Sequence, residues 1–111
     1  VNKLSIMSIS LDKIASKEII PGYHGKLIHT KTMSLVFWDV EKDAVVPEHN
    51  HIHEQIMHVM EGKFEFTLDG ETKIYLPGDI VPIAANVPHS GKALTSCKLM
   101  DVFSPVREEY K

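Results

Sequence analysis

Turn chemistry cuts this chain into short pieces, and that spacing excludes most folds. Pro21-Gly22, Glu61-Gly62-Lys63, Asp69-Gly70, Pro77-Gly78-Asp79 and Pro105 punctuate runs rich in branched and aromatic residues. Such short runs read as strands rather than helices. Met33 to Val40 is the strongest of them. Phe64 to Leu68 alternates with a period of two, and Asp69-Gly70 is the best hairpin signal in the chain. Further strands are expected over residues 27–31, 55–60, 71–76, 80–84 and 98–103. Residues 11–14 fit either a short helical turn or a strand end. Nothing marks a parallel sheet with crossover helices, a repeat or a linker. The fold class is therefore all-β, an antiparallel sandwich or barrel.

The 111 residues fit one domain. We divide it into an arm (1–24), a barrel (25–104) and a tail (105–111). Net charge is −3 with both signs interspersed. That makes nucleic acid and anionic membranes poor partners. No apolar run is long enough to span a bilayer. Charged residues break up the first twenty positions, which leaves no signal-peptide core. Cys97 is the only cysteine, so no internal disulfide forms. These features point to a cytoplasmic protein.

His49-Asn50-His51-Ile52-His53-Glu54-Gln55 carries the chemistry. In an extended segment His49, His51, His53 and Gln55 would share one face. Imidazole is the commonest protein ligand for transition metals. His89, held after Pro88, is the partner expected from a second hairpin. A lone histidine on a strand is ordinarily structural, but several converging ones form a known metal geometry. His53 is read as pocket-lining rather than ligating. His58 has the opposite parity and should face away. His24 and His29 belong to no motif.

The second informative stretch is Asp101-Val102-Phe103-Ser104-Pro105-Val106-Arg107. Asp101 and Phe103 share one face of the last strand. A carboxylate on an apolar wall is costly without a purpose, so Asp101 is a candidate catalytic group. Phe103 offers a flat face to a sugar ring. Arg107 offers a two-pronged clamp for a carboxylate. The plain alternative is a capping Asp101, a core Phe103 and a solvated Arg107.

These residues resemble known motifs. His49-x-His51-x3-Gln55-x6-Gly62 is similar to the first motif of the cupins, with Gln55 where Glu is usual. Gly78 with Asn86-Val87-Pro88-His89 resembles the second, with Ala84 in place of Pro and Asn86 in place of Gly. The resemblance spans about residues 33–104 and implies a double-stranded β-helix, the jelly-roll barrel. The first motif and the Asp-Val-Phe-Ser-Pro-x-Arg end together resemble the pectin degradation protein family, KdgF. That likeness implies a small dimeric cupin promoting ring opening and ketonisation of 4,5-unsaturated uronates from pectin or alginate. It implies His49, His51, Gln55 and His89 as ligands of one divalent metal ion, with Asp101, Phe103 and Arg107 as functional residues. Zinc, nickel, iron and manganese all suit such a site.

An all-neutral ligand set leaves the ion its full double charge, which favours Lewis-acid chemistry. It also departs from the two-histidine, one-carboxylate set of many oxygenases. A metal-dependent dioxygenase, another metallo-isomerase and a non-enzymatic sugar- or acid-binding cupin stand as alternatives. Oxygen consumption, or binding without turnover, would distinguish them.

Overall fold

The computed structural model describes residues 8–111. A 3₁₀ turn over Leu11–Lys13 precedes ten strands: β1 Lys17–Ile20, β2 Tyr23–His29, β3 Ser34–Val40, β4 Val45–His49, β5 Glu54–Glu61, β6 Phe64–Leu68, β7 Glu71–Tyr75, β8 Ile80–Ile83, β9 His89–Ala93 and β10 Cys97–Ser104. A second 3₁₀ turn, Glu108–Tyr110, follows β10. The strands form two antiparallel sheets, ordered β1-β2-β3-β10-β5-β8 and β4-β9-β6-β7. From β3 to β10 the chain changes sheet at every connection except the β6–β7 hairpin. That is the jelly roll expected from the sequence. β1 and β2 extend one of its sheets.

Local chemistry explains most of this. Asp69 and Gly70 take φ values of 49° and 80° at the β6–β7 turn, and Leu68 pairs with Glu71 across it. Two successive left-handed residues make the tight turn whose twist matches the strands. Along β3 and β10 every second residue is buried. Their inner faces meet those of β5, β6 and β9 in one core that includes Val36, Met57, Val59, Phe64, Phe66, Ala93 and Leu99. Each large side chain fully buried there stabilises the fold by about 1.5–3 kcal/mol.

Three strands, β1, β4 and β9, are not among those expected from sequence. β1 falls within the stretch read as an arm, and β2 starts at Tyr23 rather than Leu27. β9 has the sequence His-Ser-Gly-Lys-Ala, which carries little β propensity. Gly91 sits in it because the Phe64 ring lies where a side chain would be, with Cζ 2.5 Å from an ideal Cβ position.

Candidate metal centre and active site

The histidine stretch is not one strand. β4 ends at His49, residues 50–53 form a connection, and β5 begins at Glu54. The stretch therefore bridges the two sheets, and shared strand parity is not what gathers its side chains. His49 belongs to the four-stranded sheet and Gln55 to the six-stranded one. β4 is an edge strand, where Pro47 is tolerated, and its register with β9 slips by one residue between Val46 and His49. The slip sets His49 opposite His89. His51 is held by its carbonyl, which accepts from the Asn86 N–H at 2.8 Å. Asn86 adopts φ 65°, a conformation asparagine tolerates better than most residues.

These constraints bring three imidazoles together. Ring centroids lie 4.3 Å apart for His49 and His89, 4.9 Å for His51 and His89, and 5.6 Å for His49 and His51. One ring nitrogen from each falls within 4.8 Å of the others. Each Nδ1 is 2.9–3.0 Å from a backbone carbonyl two residues away: Pro47 for His49, His53 for His51 and Val87 for His89. A carbonyl only accepts, so each Nδ1 carries the hydrogen and each Nε2 keeps its lone pair.

Gln55 completes the set. Its Nε2 donates to Asp101 Oδ1 at 2.8 Å, so its Oε1 points the other way and stands 3.1 Å from His51 Nε2. Neither of those two atoms holds a hydrogen. Burial, aided by the Arg107 charge, lowers the His51 pKa to about 4, so a proton does not fill the gap at neutral pH. Two facing lone pairs are favourable only around a cation. Ligands about 2.1 Å from one ion and at right angles to each other stand about 3 Å apart. The residues present thus fit a divalent metal ion. His89 is likewise lowered by burial and stays neutral.

Asp101 is buried on β10 and accepts from Trp38 Nε1 at 2.9 Å through Oδ2. Burial raises its pKa to about 6, partly offset by the two hydrogen bonds and by Arg107. Arg107 is buried too, rather than solvated. Its guanidinium lies 4.6 Å from the Phe103 ring centroid and 4.3 Å from that of Tyr110, and its Nε donates to Glu109. One face of Phe103 is therefore covered by Arg107, and its edge contacts run to His51 and Tyr110.

His49, Gln55, His89, Asp101, Phe103 and Arg107 line one cavity between the sheets. Ile19, Ile20, Trp38 and Tyr110 line it as well, and none of these was singled out from sequence. Trp38 had a readable signal: the only tryptophan, on the inward parity of the strongest strand, needs a buried acceptor. His53 is buried beside His51, with Nε2 donating to the Val106 carbonyl at 3.1 Å. His58 lies on the opposite face of β5 from Gln55. His24 joins Glu41 at 2.8 Å, and His29 joins Ser34 at 2.8 Å.

Comparison with known proteins supplies the family. The family model described as a cupin domain matches residues 36–103. The chain is a member of the cupin family. It is 31% identical over 102 residues to the pectin degradation protein KdgF of Dickeya dadantii, covering 89% of this chain and 93% of that protein. The solved structure of KdgF from Halomonas sp. superposes with a TM-score of 0.85 at 30% identity, covering 90% of this cupin and 94% of that chain. An RmlC-like cupin from Shewanella frigidimarina gives 0.88 at 27% identity, covering 96% of each chain.

Proposed function

We propose that this cupin is a metal-dependent enzyme of pectin or alginate breakdown that promotes ring opening and ketonisation of 4,5-unsaturated uronates. The observation that carries the reading is the convergence of three imidazoles beside a cavity lined by an amide, a buried carboxylate and a buried guanidinium. The similarity to two KdgF proteins supports it.

In this reading His49, His51, His89 and Gln55 hold one divalent cation. When bound, the ion supplies Lewis-acid polarisation of a substrate oxygen, undiminished by ligand charge. Arg107 receives the substrate carboxylate. Its Nε is taken by Glu109, which leaves the terminal N–H groups for two parallel bonds. Asp101 handles protons. As a carboxylate it takes the anomeric hydroxyl proton while the bond from C1 to the ring oxygen breaks, giving an aldehyde and an enolate. As an acid it returns that proton to C4 as the enolate becomes a ketone. No co-reactant is consumed. A group whose pKa lies near working pH serves both directions, and such help typically contributes about 10²–10⁴-fold.

We further propose that the chain acts as one domain in the cytoplasm, as a homodimer. Cys97 is free and buried, and among the described residues no helix is long and apolar enough to cross a membrane.

The test is to incubate zinc-, nickel-, iron- or manganese-loaded protein with unsaturated galacturonate and follow the ring species by NMR. Loss of the ring form with the loaded protein, and its persistence with His51→Ala, is the expected result. Equal rates for the two proteins would sink the proposal.

A further inference from the structure

Three polar side chains form a line across the middle of the six-stranded sheet. Trp38, Asp101 and Gln55 lie on β3, β10 and β5, which are adjacent strands. Asp101 pairs with Val36 on one side and Met57 on the other, so Trp38 and Gln55 are its diagonal neighbours on the inner face. Trp38 Nε1 donates to Asp101 Oδ2 at 2.9 Å, and Gln55 Nε2 donates to Asp101 Oδ1 at 2.8 Å.

The polarity of this line is fixed at its far end. An indole has one N–H and no acceptor, so Trp38 can only donate. An ionised carboxylate can only accept. With Oδ2 occupied by Trp38, Oδ1 is left to face Gln55 and draws the amide N–H₂ toward itself. The amide oxygen is thereby turned to His51, 3.1 Å away.

We propose that Trp38 is a positioning residue for the metal centre: its indole N–H anchors Asp101 so that Gln55 presents oxygen, not nitrogen, to the three histidines. The proposal rests on the metal-binding half of the functional reading and not on the substrate.

The indole is itself held tightly. Tyr23 and Tyr110 each meet it edge-on, with centroids 6.1 Å away. Its register partner on β2 is Gly25, where a Cβ would stand 2.8 Å from Trp38 Cζ3. The missing side chain lets the ring lie against the β2 backbone. Without the N–H, Asp101 Oδ2 would be a buried charged oxygen lacking a donor. The carboxylate would then turn toward other donors and release the amide.

Trp38→Phe keeps a ring in place and deletes only the donor. Zinc affinity, read by competition with a chromophoric chelator, is expected to fall about 10–100-fold, the usual cost of losing a group that orients a ligand. In a Gln55→Ala background the same substitution is expected to change zinc affinity less than about twofold, because nothing is left to orient. An unchanged affinity in the first background overturns the proposal. So does an equal loss in both, which would mark a merely structural role. If Trp38→Phe fails to fold, the native protein still decides. Its single tryptophan gives one indole N–H resonance. That resonance should shift when zinc is added, and a signal indifferent to zinc overturns the proposal. No uronate enters these measurements, so a failed substrate assignment and a failed Trp38 assignment give different results.

Discussion

Burial acts on His51 and Asp101 in opposite directions, and both outcomes suit the site. It lowers the imidazole to about 4 and raises the carboxyl to about 6. His51 therefore binds its proton less tightly when folded than when unfolded. Its contribution to stability is present above the ordinary value of 6.5 and is lost as pH falls through about 4. In chelated protein, the His51 ring signals in an NMR titration should stay at their neutral positions down to about pH 5. A midpoint near 6.5 would mean a solvated ring and no preset lone pair. The substrate side is tested separately. Arg107 is stacked between two rings, a role lysine does not reproduce. Arg107→Lys is expected to raise KM for the uronate about tenfold or more with kcat little changed, and an unaltered KM would remove the clamp. Asp101→Ala, assayed at saturating zinc because it also frees the Gln55 amide, should lower kcat about 10²–10⁴-fold, and near-normal turnover would remove Asp101 from the proton steps. The histidines and Gln55 were legible as motif spacing. The bond from Trp38 to Asp101 was not, because it joins positions 63 residues apart and exists only once β3 and β10 pair.

The strands differ in how plainly the sequence announces them, and two glycines show why. Gly70 sits at a turn with φ 80° and open space around it, so its need is conformational. Such glycines stand out beside alternating strands, which is why β6 and β7 were readable. Gly91 lies inside β9, with φ outside the left-handed region and Phe64 atoms at 2.5 and 2.8 Å from an ideal Cβ. Its need is spatial and is invisible until β6 lies next to β9. The two substitutions should therefore fail differently under urea denaturation. Gly70→Ala should cost about 1–2 kcal/mol from backbone strain and leave zinc affinity intact. Gly91→Ala should cost about 1–3 kcal/mol from overpacking and weaken zinc binding, since His89 begins the same strand. Equal zinc affinity in both would show that β9 yields without moving its histidine. The parity argument for residues 49–55 failed for a related reason. Alternation is a property within one strand, whereas this stretch passes between two sheets and gathers its side chains through the connection.

The two sheets present very different outer faces, and this bears on assembly. On the four-stranded sheet, Lys92, Glu65 and Thr67 lie outward around Ile74. On the six-stranded sheet, Leu35, Val102, Ile56 and Pro82 follow one another across β3, β10, β5 and β8, with Phe37, Met100, His58 and Ile80 in the next row. Ile56 is 44% exposed, Met60 43% and Ile80 62%. Contiguous apolar surface of this kind marks an interaction site. A flat face that meets its own copy about a twofold axis buries the same residues on both sides. The proposed homodimer uses this face, on the far side of β5 from Gln55, so that pairing leaves the cavity mouth free. Ile56→Lys would put a cation at the centre of the patch on each copy. In light scattering, the native protein is expected at twice the chain mass and the variant at the chain mass. Zinc affinity should be the same in both, because the ligands come from the opposite face. A variant that remains dimeric would move the contact elsewhere. A monomeric variant that also loses zinc would show that the sheet needs its partner to hold Gln55, Asp101 and Trp38 in line.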